Sequence, residues 1–254
     1  PFFFTAACCQ STGVLLTNWF FGHKSPGMNQ RFFKQDETTM KAVVFDLDGT
    51  LLDSAPQIHA DVNKMLAGFG LAPLQLDRVT SFIGNGVPAL VRRSLSESDP
   101  GNEIDVDLAV SKLLDIYSLA STDYLRPFCG VNSALSRLAR NGVSMGICTN
   151  RPQQQTDALL DRLSIRHFFG SVVGGDRLPL SKPDPAPLKL CFDELDVGFV
   201  DGIFVGDSET DEATAKNAGC RFALFTRGYR KKSADAFNAF LQFDDFAELT
   251  FVPG

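Results

Sequence analysis

The feature that most restricts the fold of this chain is a set of five short, almost uninterrupted apolar runs. They are Lys41 to Asp46 (KAVVFD), Val143 to Thr149 (VSMGICT), Ser171 to Gly174 (SVVG), Gly202 to Gly206 (GIFVG) and Arg221 to Thr226 (RFALFT). A strand with one wet face alternates polar and apolar residues, whereas runs like these suit strands covered on both faces. Helical patterns lie between the last four. Val131, Ala134, Leu135, Leu138 and Ala139 form one stripe that stops at Asn141-Gly142; Ala158, Leu159 and Leu163 belong to a second, and Leu188, Leu190, Cys191 and Leu195 to a third. Glu209 to Ala218 ends at Gly219, a good residue just past a helix. Strand alternating with helix predicts an α/β fold, a doubly wound, Rossmann-like parallel sheet.

One stretch breaks the alternation. From Ser54 to Arg126 the pattern is helical only, with helices expected at Ala55 to Gly68, Leu76 to Phe82, Val87 to Ser96 and Ile104 to Ala120, and a turn at Asp99-Pro100-Gly101. No compact domain tolerates a loop of that length, so an inserted helical cap is expected over residues 54–126, with the catalytic core in 40–53 and 127–254. Arg126 to Gly130 would be the return linker. Residues 1–39 read differently: Pro1 to Gly22 carries no charge, yet Thr5, Gln10, Ser11, Thr12, Thr17 and Asn18 interrupt its apolar residues, and no basic segment precedes them. This argues against a signal peptide or a membrane span, and the segment is expected to be a tail outside the fold rather than a targeting segment.

The net charge of -6 gives no broad electrostatic footprint for nucleic acid. The six cysteines form no C-x-x-C pair, and reduced thiols in a cytoplasmic protein are expected, with neither nucleic acid nor membrane as partner.

In a doubly wound sheet, residues just past the carboxyl ends of the strands converge on one crevice. Four groups fall there: Asp46 and Asp48 after the first strand, Thr149 and Asn150 after the second, Lys182 in the proline-bounded loop after the third, and Asp207 with Asp211 after the fourth. Crowded carboxylates repel unless a cation or raised pKa values relieve them, which implies Mg²⁺. Lysine and threonine beside that ion suit a phosphate. Each residue has a plainer reading as well. Asp46 and Asp48 could be turn residues, and Asp207-Ser208 could cap a helix.

Four segments carry a resemblance. FDLDGTLLDSA (Phe45 to Ala55), CTNR (Cys148 to Arg151), SKPDP (Ser181 to Pro185) and GDSETD (Gly206 to Asp211) are similar to the four motifs of the haloacid dehalogenase superfamily. DSAPQIHADVNKML, SFIGNGVPALVRRSL and GGDRLPLSKPDPAPL further resemble the phosphoglycolate phosphatases within it. The resemblance implies an Mg²⁺-dependent hydrolase of a small phosphate monoester, most specifically 2-phosphoglycolate. Asp46 would be the nucleophile that forms an aspartyl-phosphate, and Asp48 the acid and base. Asp46, Asp207 and the Asp48 carbonyl would hold Mg²⁺, and Asp211 a metal-bound water. Thr149, Lys182 and amides around Asn150 would bind phosphate oxygens.

Substrate choice is expected in the cap. Asn85 and Gly86 lie in a glycine-rich turn that enters a helix bearing Arg92 and Arg93, of which one at most would face the pocket. Both arginines could equally lie on a solvated face, and His59 could line the crevice or sit exposed. Alternatives for the whole chain are a sugar phosphomutase of the β-phosphoglucomutase type, a phosphatase for another small ester, and a noncatalytic module of the same fold. The last would be expected to have lost a motif residue, and none is missing. Asp48 argues against dehalogenase chemistry. The assembly is expected to be a monomer or homodimer.

Overall fold

The computed structural model describes residues 40–99, 101, 103–119 and 124–249. The expectation for residues 1–39 therefore falls outside the described residues. The central sheet contains β1 (Ala42–Phe45), β4 (Ser144–Cys148), β5 (Ser171–Val173), β6 (Gly202–Gly206), β7 (Arg221–Phe225) and β8 (Leu241–Phe243) in the order β5-β4-β1-β6-β7-β8, with every pairing parallel. Five of these strands coincide with the apolar runs. The sixth, β8, lies at the edge, where only Phe243 of Leu-Gln-Phe is fully buried, so it carries no such run.

Strand side chains divide by parity between two layers. Val43 and Phe45 join one apolar cluster with Val131, Leu135 and Leu138 of α5 (Val131–Arg140) and Leu160 of α6 (Gln153–Arg162). Ala42 and Val44 join the other, with Leu188, Cys191 and Phe192 of α7 (Ala186–Glu194) and Ala215 of α8 (Glu209–Ala218). Both faces of the sheet are thus covered by helices, which is why its strands read as continuous apolar runs.

Between β2 (Leu52–Asp53) and β3 (Arg126–Pro127) come α1 (Ala55–Ala67), α2 (Leu76–Thr80), α3 (Val87–Ser98) and α4 (Val106–Leu119). These four helices bury a third apolar cluster of their own, centred on Val62, Met65, Leu66, Leu90, Val91 and Leu113. The outgoing and returning chains pair as an antiparallel ribbon, Leu52 opposite Pro127 and Asp53 opposite Arg126. The last helix starts at Val106 rather than Ile104, because Asp105 Oδ1 accepts the Leu108 amide at 2.9 Å and so acts as its cap. Among the described residues no helix is long and apolar enough to cross a membrane.

Candidate active site

The chain runs from β1 outward to β4 and β5, then returns to β6 on the other side of β1. The carboxyl ends of β1 and β6 therefore flank the point where strand order reverses, the usual place for a crevice. Asp46 directly follows β1 and Asp207 directly follows β6, and Phe45 is in register with Val205, so the two carboxylates are set side by side. The Asp46 amide donates to the Val205 carbonyl at 2.8 Å, extending the ladder up to the residue itself.

Asp211 reaches the same point from the first turn of α8. Ser208 caps that helix, its hydroxyl and amide donating to Asp211 Oδ2 at 2.6 and 3.1 Å, and the Asp211 amide donates back to Ser208 Oγ. The capping reading and the metal reading thus share residues, because the capping box presents the other carboxylate oxygen of Asp211 to the crevice. At Gly206 a Cβ would lie 2.4 Å from the Asp211 Cβ, so the approach requires glycine there.

Asp46, Asp207 and Asp211, all buried, each bring one oxygen within 4.8 Å of the others. Lys182 Nζ lies between two of them, 2.8 Å from Asp46 Oδ1 and 2.7 Å from Asp211 Oδ1. Thr50 Oγ1 and the Tyr229 amide donate to the two oxygens of Asp207, at 2.7 and 2.6 Å. Burial, reinforced by the Asp211 and Asp48 carboxylates, pushes Asp46 up to about 7 against the pull of Lys182. Burial and the same kind of crowding raise Asp207 well above the usual carboxylate range. Three carboxylates and one ammonium leave two negative charges uncompensated when all are ionised, the charge that one divalent cation supplies. An all-oxygen donor set of this kind fits Mg²⁺.

Asp48 is neutralised separately. Arg151 Nη2 and Nε donate to its two oxygens at 2.8 and 3.1 Å. Burial pushes Asp48 up, but the Arg151 charge and hydrogen bonds outweigh it and hold the carboxyl below its ordinary value. Thr149 follows β4, its amide tied to the Val173 carbonyl at 3.0 Å and its side chain buried. The Asn150 side chain bridges loops: Nδ2 donates to the carbonyls of Gly84 in the cap and Lys182 in the core, and Oδ1 accepts the Lys182 amide.

Asp46, Asp48, Thr149, Asn150 and Arg151 form the core side of a cleft, with Ile58, Ile83, Gly84, Gly86, Val87, Leu90 and Tyr117 from the cap as its remaining walls. The other cap residues singled out in the sequence lie elsewhere. Arg92 is exposed on α3. Arg93 spends its guanidinium inside the cap, donating to the Phe82 carbonyl at 3.0 Å and to Asn85 Oδ1 at 2.9 Å, while Asn85 donates to Thr210 of the core at 3.1 Å. His59 Nε2 lies 2.9 Å from both the Leu74 carbonyl and Asn63 Nδ2, pinning the loop before α2. None of Arg92, Arg93, His59 and Asn85 lines the cleft: the helix bearing the arginines presents Val87 and Leu90 to it, while His59 is held at Leu74 and Asn63 and Asn85 at Thr210 and Arg93.

Three contributors went unassigned in the sequence. Arg151 stood inside a quoted motif next to Thr149 and Asn150, so its place was available. Tyr117 was one more aromatic residue in an amphipathic helix. Tyr229 lies in a loop after β7, and nothing in the local pattern marks it.

Comparison with known proteins agrees with this architecture. The profile of the family described as haloacid dehalogenase-like hydrolase matches residues 43–225. The chain is 43% identical over 192 residues to a phosphoglycolate phosphatase of Cereibacter sphaeroides strain ATCC 17029, covering 75% of this chain and 87% of the relative. It is 41% identical over 192 residues to phosphoglycolate phosphatase 1 of Pseudomonas aeruginosa, covering 74% and 70% of the two chains. A crystal structure of a predicted phosphoglycolate phosphatase from Haemophilus somnus 129PT superposes with a TM-score of 0.77 at 28% identity, over 82% of this chain and 95% of that one. CbbY from Rhodobacter sphaeroides, solved in complex with phosphate, shares the fold at a TM-score of 0.69 and 22% identity, over 84% and 98% of the chains. With its motifs on the carboxyl edge of the sheet and the family profile spanning most of the described residues, the chain belongs to the haloacid dehalogenase-like hydrolases.

Proposed function

We propose that the protein hydrolyses a small phosphate monoester, 2-phosphoglycolate, to glycolate and phosphate. The observation that carries this reading is the meeting of Asp46, Asp207, Asp211 and Lys182 beneath a cleft roofed by apolar cap residues. The phosphoglycolate phosphatase names of the relatives support the choice of ester. The cleft suits it physically: apolar cap side chains face the carboxylates, an arrangement that favours keeping bulk water from the reacting centre when the cap closes over substrate.

In this reading Asp46 attacks phosphorus in line and becomes an aspartyl-phosphate. Asp48, two residues on, must first take up a proton, against the preference of its pair with Arg151 for the ionised form, to protonate the leaving alkoxide. It later takes a proton from the attacking water. Lys182 keeps Asp46 oriented through its ion pair and offers positive charge to the phosphoryl oxygens. The Thr149 hydroxyl is a donor to the same oxygens. Asp46, Asp207 and Asp211 would hold Mg²⁺, which supplies the charge that lets an anionic nucleophile approach an anionic phosphate.

A screen of phosphate esters with and without Mg²⁺ tests the proposal. The expected result is phosphate release that depends on the ion, with the highest kcat/KM for 2-phosphoglycolate. A preference for a hexose phosphate, or turnover only when a bisphosphate is added, would move the assignment to the sugar phosphomutases.

A further inference from the structure

If the substrate carries a carboxylate beyond the ester, a cation in the cleft is the strongest single partner available to it. Among the described residues that line the cleft, Arg151 carries the only positive charge. The cap arginines are not available for it, since Arg93 is committed to Phe82 and Asn85 and Arg92 is exposed. The Arg151 side chain is 9% exposed and is fixed from two sides. Nε and Nη2 grip Asp48 of the core, and the Tyr117 ring of the cap lies 5.3 Å from its guanidinium carbon. Nη1 has no hydrogen-bond partner among the described residues.

A guanidinium has two edges that accept a carboxylate as a fork. Here one edge, Nε with Nη2, is taken by Asp48, and the other, Nη1 with Nη2, remains. We infer that Arg151 is the specificity residue of this site and receives the substrate carboxylate on its free edge. The inference rests on the 2-phosphoglycolate reading and deepens it. In 2-phosphoglycolate only a methylene separates the carboxylate from the ester oxygen. An arginine that holds Asp48 on one edge and this carboxylate on the other therefore sets the ester oxygen beside the Asp48 carboxyl. A longer or uncharged leaving group gains nothing from such a bridge.

The test compares 2-phosphoglycolate with ethyl phosphate, which replaces the carboxylate by a methyl group and keeps an unactivated alkoxide as leaving group. Arg151→Gln and Arg151→Lys are measured in parallel in the full chain with Mg²⁺ present, each after its melting curve shows a folded protein. The lysine variant keeps the charge and gives up the fork, and it decides the question alone if the glutamine variant does not fold. The expected result is a wild-type preference for 2-phosphoglycolate that falls about 100-fold in Arg151→Gln and by less in Arg151→Lys, together with weaker inhibition by glycolate. A purely structural role predicts equal losses on both esters and an unchanged ratio; that result overturns the inference and leaves the substrate reading standing. A wild-type enzyme that treats the two esters alike overturns the substrate reading, and the inference with it.

Discussion

Arg151 donates to both oxygens of Asp48, from Nη2 at 2.8 Å and from Nε at 3.1 Å, joining the residue after Asn150 to the second acid of the β1 motif in one largely buried pair. Taking away one member of such a pair leaves an uncompensated charge, which costs about 3–5 kcal/mol. Arg151→Gln is therefore expected to lower the unfolding free energy by that order. Asp48→Asn in the same background removes the orphaned charge, so a double-mutant cycle should show a coupling of about 2 kcal/mol. Losses that simply add would mean that the two side chains do not stabilise each other. Because the folded Asp48 titrates below its ordinary value, the stability this pair contributes is present above the unfolded carboxylate pKa and fades as pH falls through the depressed one.

Asp46 sits in an environment that disfavours its charge. Asp46→Asn should abolish turnover, since an amide cannot form the acyl phosphate, and should leave the fold intact. It should also leave the metal-free protein at least as stable as the wild type, because a neutral amide relieves the repulsion from Asp207 and Asp211. Substantial turnover in a pure preparation would remove Asp46 from the nucleophile's role, and a large drop in melting temperature without metal would contradict the account of crowding.

The same crowding links metal, pH and stability. Asp46 titrates near 7 in the folded chain, above its ordinary 3.8, so its contribution is fully present below the unfolded value and is lost as pH rises through about 7. Asp207 is shifted in the same direction. Thermal unfolding of the EDTA-treated protein should therefore begin at a lower temperature at about pH 8 than at about pH 5, and the rise in melting temperature caused by Mg²⁺ should be larger at the higher pH. An Mg²⁺ effect that did not grow with pH would argue against ionised carboxylates as its ligands.

Asp48 as proton donor predicts a dependence on the leaving group. Asp48→Asn should depress hydrolysis of 2-phosphoglycolate far more than that of p-nitrophenyl phosphate, whose phenolate leaves without a proton. A common factor of loss across both esters would point to Asp48 as a structural partner of Arg151 alone.

These expectations draw on features with unequal traces in the sequence. The buried strands were legible because a face covered on both sides needs an unbroken apolar run, and the positions of Asp46, Thr149 and Asp207 followed once the strand ends were known. β2 and β3 were not, since each is two residues long and exists only through the other. The cap helices were legible from their apolar spacing, but which side of α3 faces the cleft was not. Val87 and Leu90 line it, and the paired arginines that drew attention in the sequence do not. A pattern of residue types reports a buried stripe without saying what lies against it. Arg151 and Tyr229 act through partners more than 100 residues away, Asp48 and Ser54, and local periodicity carries no record of such contacts.

Tyr229 supplies the last prediction. Helix α1 starts at Ala55 without a side-chain cap, since Ser54 makes no capping bond. The Tyr229 hydroxyl takes the place of the cap. It accepts the amides of Ser54 and Ala55 at 2.7 and 2.8 Å and donates to Asp53 Oδ1 at 3.0 Å, while the amide of the same residue holds Asp207. One residue of the core thus ties the base of the cap to a candidate metal ligand, through two chemically separate groups. Tyr229→Phe removes only the hydroxyl, so it should cost about 1–2 kcal/mol, the worth of a lost helix cap with a buried amide left unpaired. Mg²⁺ affinity, read from the metal's effect on melting temperature, should stay close to wild type, because the backbone amide that holds Asp207 is retained. If Tyr229→Phe weakened Mg²⁺ binding as strongly as it weakened the fold, the hydroxyl would be acting on the metal site as well, and the division of labour within Tyr229 would be wrong.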